Sequence, residues 1–266
     1  MVDKDKILGL LNQYFDTTGE ITIDDREFVT CIGNVTLKQI FKHERLPVSF
    51  DKVEGDFKCW QNTLKTLEGA PKSVLGHFMC NTNQLTSLEH APKSVRGHFM
   101  CAFNNLTSLE HSPTSVGGSF LCNHNKLTKL AHSPRSVRGN FVCSFNRLET
   151  LAGAPRSVDG FFSCTDNLLT SLEHAPNSFG NDFSCFNNPL ETLEGLPDVT
   201  RTLRLSYSPT LPLLRCLLAK KVEFLPTLGD KTIEAILHRY AGQGEAGAFA
   251  CGAELASAGY KENAQW

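Results

Sequence analysis

The chain has 266 residues, with 26 Lys and Arg against 28 Asp and Glu, a formal charge of −2 and a pI near 6.5. So balanced a charge gives no electrostatic reason to expect bulk nucleic acid as a partner, and Val53 to Leu205 carries 13 basic and 13 acidic residues. No window reaches the ~18 apolar residues of a membrane span. The charged start Met1-Val2-Asp3-Lys4-Asp5-Lys6 runs into a short apolar stretch unlike a secretory signal, so a soluble, cytoplasmic protein is expected.

Taken in order, residues 1–52 are expected to form an N-terminal helix-strand cap. Ile7, Leu8, Leu11 and Phe15 recur at helical spacing until Thr17-Thr18-Gly19 breaks the pattern. Strand-like runs follow at Ile21-Thr22-Ile23 and from Phe28 to Leu37. Cys31 and Asn34 imitate the unit that follows, but the next cysteine comes 28 residues later. Leu46-Pro47 and Phe50 make a half-unit leading into Val53.

Residues 53–214 are periodic. Cysteines stand at 59, 80, 101, 122, 143, 164 and 185, each followed three residues later by asparagine, from Asn62 to Asn188. Leucine columns run from Leu64 to Leu190 and from Leu67 to Leu193, and prolines from Pro71 to Pro197 close the units. A fixed period of 21 residues is the signature of a stacked solenoid, whose core grows with repeat number. Phe78-Met79-Cys80 alternates inward, outward, inward as a strand does. The glycines from Gly55 to Gly160 mark a tight strand entry, and Asn181 breaks their column. The asparagines are placed to bond backbone of their own turn and the next. The return arm, as in Leu88-Glu89-His90-Ala91-Pro92-Lys93-Ser94-Val95, is too short and proline-rich for a helix and reads as extended or polyproline-like chain. Seven cysteines in one inward column read as reduced packing residues. No pair of them has the short spacing of a structural zinc site, so no metal and no cofactor is expected.

The Phe-x-Cys-x-x-Asn-x-Leu-x-x-Leu core closely resembles a leucine-rich repeat, with Phe and Cys where that consensus has Leu or Val. The closing Leu-Glu-x-Ala-Pro-x-Ser-Val segment is similar to leucine-rich repeat proteins of tailed bacteriophages and some bacteria. The resemblance implies a curved right-handed solenoid with a parallel β-sheet on its concave face, an irregular convex arm, and a protein-recognition role. It also implies a host protein as partner, perturbed in the host cytoplasm, with blocking of a defence factor as one such role.

Past Asn188 the columns decay, Ser206 standing in the cysteine register and Pro209 in that of the asparagine. Leu213 to Leu225 reads as a last strand or short helix. Residues 215–266 are expected to form a C-terminal helical cap. One helix, capped by Asp230, carries Ile233, Ile236, Leu237 and Tyr240, and a second runs from Glu245 to about Ala258.

Function is sought on the outward rows of the sheet. Met79, Met100, Leu121 and Val142 form an apolar centre flanked by Phe103 and Phe145, with Trp60 and Phe186 as anchors near the two ends. Seven strands span ~30 Å, enough for a standard protein interface. His77 and His98 share a row; metal binding or pH sensing is weighed for them, but no third ligand is evident, and they are read as surface residues bordering the interface. Lys72, Lys93, Arg96, Arg135, Arg138 and Arg156 line the return arm, which makes a nucleic-acid binder the alternative function and a structural or assembly component a third. Neither a Gly-x-Ser-x-Gly elbow nor a phosphate-cradling loop occurs, so no enzymatic activity is expected. The sequence leaves the oligomeric state open.

Overall fold

A strand of alternating Phe and Cys can bury both side chains only if other strands stack on either side of it, and the 21-residue spacing supplies them. The computed structural model describes residues 3–39, 43–198, 201–225 and 231–266. It is a β-solenoid of stacked coils. Among the described residues each repeat coil contributes one short strand to each of two sheets, and the last two front strands have no counterpart in the return sheet. The front sheet has 11 strands, running from Phe15–Thr17 and Val35–Leu37 through Phe57–Lys58, Phe78–Met79 and their successors to Thr202–Leu205 and Lys221–Phe224. The return sheet has 9 strands, from Glu20–Ile23, Phe28–Ile32 and Ser49–Val53 through Ser73–Val74 to Ser178–Phe179.

Pairing within the repeats is parallel and in register, so Phe99 lies between Phe78 and Phe120, and Met100 between Met79 and Leu121. The first pairs of both sheets are antiparallel, Phe15–Thr17 with Val35–Leu37 and Glu20–Ile23 with Phe28–Ile32. The core consists of columns. Phe57, Phe78, Phe99, Phe120, Phe141, Phe162 and Phe183 are fully buried, with ring centroids 5.3–5.6 Å apart and planes within 17° of parallel. Each buried phenyl contributes ~2–3 kcal/mol of transfer free energy. The cysteines and leucines form companion columns, and all ten cysteines are free and buried.

The asparagine column reaches backward in the chain. Asn83 Nδ2 donates to Cys80 O at 3.1 Å in its own coil and to Cys59 O at 2.9 Å in the preceding one, while its Oδ1 accepts from Leu64 N at 3.1 Å. Asn104, Asn125, Asn146, Asn167 and Asn188 repeat the arrangement. The partner coil is therefore the preceding one, not the following one.

The return arm carries a short extended strand in each repeat, in line with the extended alternative, and these strands form a sheet. Ser94–Val95 pairs in parallel with Ser73–Val74 and Ser115–Val116, with valine inward and serine outward. Proline is tolerated because Pro92 precedes the ladder, and the donors that build it are Lys93 N to Lys72 O and Arg96 N to Val74 O. A turn with φ between 66° and 91° ends each unit, and Gly69, His90, His111, His132, Gly153, His174 and Gly195 occupy it. Histidine there stands where glycine would serve, which accounts for the loop histidines.

At the C-terminal end the final unit is one residue short. Phe183 pairs with Leu203, so the buried Leu205, not Ser206, continues the cysteine column, and Ser208, not Pro209, that of the asparagines. Beside this position, buried Asn263 of the tail donates to Ser208 O at 3.0 Å and Leu211 O at 2.8 Å. Both alternatives for 213–225 occur, a 3-10 turn at Leu214–Leu218 and a strand at Lys221–Phe224. The described residues also form three α-helices: α1 (Lys4–Tyr14), α2 (Thr232–Tyr240) and α3 (Glu245–Ser257). Asp3 caps α1, which buries Ile7 and Leu11. Asp230, expected to cap α2, lies outside the described residues; Lys231 holds the cap position without a side-chain bond. Among the described residues no helix is long and apolar enough to cross a membrane.

Candidate functional site

The outer face of the front sheet begins with a row of hydrogen-bond acceptors. Asn34 Oδ1 accepts from Asp56 N, Asp56 Oδ1 from His77 N, His77 Nδ1 from His98 N, and His98 Nδ1 from Ser119 N, all at 2.8–2.9 Å. Ser119 Oγ then accepts from Asn140 N at 3.0 Å and Asn140 Oδ1 from Phe161 N at 3.1 Å. These residue types share one property, an acceptor one or two bonds beyond Cβ. Each satisfies the amide at the same position of the next coil, which would otherwise be half-buried and unpaired.

This row explains the glycines. A Cβ on Gly97 would lie 2.4 Å from His77 Nδ1, and one on Gly118 2.5 Å from His98 Nδ1. Their φ angles are not in the left-handed region, so space and not backbone freedom demands glycine. The exception fits: Phe161 offers no acceptor, and at the corresponding position of the next coil the glycine is replaced by Asn181.

His77 and His98 are half-buried and stacked at 4.4 Å. Because Nδ1 of each receives an amide N–H, the single proton of the neutral ring sits on Nε2, and neither nitrogen keeps a lone pair for a metal. The pair is thus part of the backbone scaffold, not a metal site, and not freely exposed surface. Burial and the neighbouring His77 hold His98 below the usual imidazole range. Among the described residues no cluster of three or more His, Cys, Asp or Glu is placed to hold a metal ion.

Next along each strand come Lys58, Met79, Met100, Leu121, Val142, Ser163 and Ser184, all half-buried. The row changes chemistry at Ser163. From Met79 to Val142 it is apolar, with Lys58 ahead of it paired to Asp56; on the C-terminal side Ser144, Ser163, Thr165 and Ser184 join in a hydroxyl chain with oxygens 2.7–3.2 Å apart. Trp60 and Phe186 are half-buried at the two ends of the row beyond it.

The edge of the face is the turn after each cysteine, where the residue two positions on has φ of 53–57° in every coil from Gln61 to Asn187. Asn or Asp tolerates that conformation cheaply, whereas a bulky L-residue bears ~1–2 kcal/mol. Phe103 and Phe145 nonetheless occupy it, 51% and 48% exposed. His124 stands between them, 4.0 Å from the Phe103 ring and 4.2 Å from Phe145, with planes within 20°. Its Nδ1 lies 2.9 Å from Asn123 Nδ2, and burial lowers its basicity. The three rings form a ridge beside Met100, Leu121 and Val142. The 21-residue period already sets Phe103, His124 and Phe145 in one row just past the strand, but residue type alone leaves His124 out of the interface and misses exposed Leu168. Exposed Phe161 also adjoins the strip.

Compared with protein-family models, with curated proteins and with solved structures, the chain matches none.

Proposed function

We propose that this protein is a non-enzymatic recognition module that binds a protein partner on the outer face of its front sheet. The reading rests on Phe103 and Phe145, two exposed phenyl groups in left-handed turns where polar residues would cost less. Residues kept in costly conformations concentrate at functional sites, and a contiguous exposed apolar surface marks an interface. Ring spacing supports concavity of this face. Inward phenyl rings lie 5.3–5.6 Å apart and outward rings 4.0–4.4 Å, on either side of the ~4.8 Å strand spacing.

The finer reading is a leucine-rich-repeat solenoid with Phe and Cys in leucine positions, closed by helical caps. The caps are supported by the last front strand, whose outward groups are met by α2: His238 Nε2 lies 2.7 Å from Val222 O, and Phe224 N donates to Glu234 at 3.2 Å. The resemblance to phage-encoded repeats extends the proposal to a host protein as partner, blocked in the host cytoplasm. Affinity capture from host lysate with wild type, Met100→Asp/Leu121→Asp and Phe103→Ser/Phe145→Ser tests the site. The partner should be lost with both double variants; capture unchanged by either, with the fold intact, refutes it.

A further inference from the structure

Charge on the solenoid is balanced overall but unevenly placed. Residues 93–156 hold eight Lys and Arg against two Glu. Among the described residues none of those eight cations has a salt-bridge partner, whereas Lys52, Lys58, Lys65 and Lys72 before them and Arg204 and Lys221 after them are all paired. Five of the eight, Lys93, Arg96, Arg135, Arg138 and Arg156, flank the two-residue strands of the return sheet, and all five are exposed. Arg156 N donates to Arg135 O at 2.8 Å, so two guanidinium-bearing residues stand one coil apart with no anion shared between them.

We propose that the outer face of the return sheet between Lys93 and Arg156 binds a single-stranded nucleic acid through its phosphodiester backbone, laid along the coil axis. Exposed Ser94, Ser115 and Ser136 run down the middle of the strip, directly paired or in register, as hydroxyl donors. Lys93, Arg135 and Arg156 border it on one side and Arg96 and Arg138 on the other, three residues or ~10 Å away. Four of the five cations are arginine, whose planar fork matches phosphate oxygens. On the return strands between Lys93 and Arg138 the valines are buried, and the exposed apolar or ring groups, His111, Ala131 and His132, lie in the turns before them, so no row of large apolar side chains is offered and recognition is of backbone and not of sequence. Carboxylates limit the strip: Glu89, Glu110 and Glu173 lie in the turns before it, and exposed Asp159 takes the column of Arg96 and Arg138 in the coil of Arg156. At the corresponding positions of the two coils richest in arginine the glutamate column reads Ala131 and Ala152. A linear polyanion fits such a strip better than the plane of an anionic membrane.

Fluorescence anisotropy of a 5′-labelled dT20 oligonucleotide titrated with the full chain, from 50 to 300 mM NaCl, tests this. Binding is expected at 50 mM salt, weakening with a log–log slope of about −0.7 per phosphate neutralised. Arg135→Ser/Arg138→Ser/Arg156→Ser should weaken it at least tenfold and flatten the slope by about 2. Lys126→Ser/Lys129→Ser/Arg147→Ser removes equal charge from the other arc of the coil and should change affinity less than threefold. Should the arginine triple variant unfold by circular dichroism, Ser115→Glu/Ser136→Glu places carboxylates in the strip and should abolish binding. The proposal is overturned by absence of binding at 100 µM protein, by equal losses in the two triple variants, by polyglutamate competing as well as dT20, or by phosphatidylserine vesicles binding where dT20 does not.

Discussion

His77 Nδ1 and the amide of His98 meet at 2.9 Å in the space that a side chain on Gly97 would fill. The two residues are one coil apart, and the contact makes the acceptor and the glycine a single unit. Gly97→Ala should therefore destabilise by ~2–4 kcal/mol, since the new Cβ also meets Gly76 O at 2.6 Å. His77→Asn keeps an acceptor and should be tolerated. The reverse experiment is Phe161→Asn with Asn181→Gly. The pair should be more stable than the sum of the single changes by ~1 kcal/mol, read from a denaturant double-mutant cycle.

Stability should also depend on pH through the two depressed histidines, His98 and His124. In the unfolded chain they titrate near ~6.5. As pH falls through that value the unfolded state takes up protons before the folded state does, so their contribution is complete above it and declines below. The melting temperature should fall between pH 7 and pH 5, and less in His98→Asn. An unchanged pH profile in that variant would remove His98 from the account. Asp56 acts lower: burial works against its charge, but the His77 amide and Lys58 outweigh it and hold its carboxyl below the usual range, so its share is lost only as pH falls below ~4.

The buried carboxamides offer an internal control. Asn104→Ala strips Leu85 N of its acceptor and removes donors from Cys80 O and Cys101 O, and should cost ~3 kcal/mol. Asn62 heads the column, bonds to Cys59 O and Trp60 O, and its buried Oδ1 has no partner. Asn62→Ala should cost ~1 kcal/mol. Equal losses in the two variants, measured by urea titration, would contradict the directional ladder.

At the last front strand, Glu234 and His238 cover Phe224 N and Val222 O. Glu234→Ala/His238→Ala uncovers a strand edge, and such edges recruit further chains. Light scattering behind size exclusion should show concentration-dependent association in the variant and none beyond the wild-type state in the parent. A variant that behaves as the parent does at all concentrations would mean that other groups protect the edge.

Much of this architecture was legible because repetition multiplies weak signals. One Phe-x-Cys is uninformative; seven in register fix strand, face and column. The return sheet escaped because Ser94–Val95 is too short to display alternation, and the proline beside it argues for a different conformation. The acceptor row escaped for another reason: Asn34, Asp56, His77, His98, Ser119 and Asn140 look unrelated until geometry reveals the one atom they share in function. The glycines were visible, but their cause lies 20 residues upstream, in the preceding coil. The ridge was half legible. Phe103 and Phe145 stand out by type, while His124, in the same row of the 21-residue period, carries no apolar signal of its own.

Both polar ladders share a polarity in time as well as in space. The acceptor that receives the amide of His98 belongs to His77, already translated, and the groups that Asn104 reaches, Cys80 O and Leu85 N, precede it in the chain. A newly made coil leaving the ribosome thus finds these docking groups already in position on the coil below. These two sets of side-chain contacts therefore need only chain that is already made, whereas the strand amides, such as Phe78 N to His98 O, wait for the coil that follows.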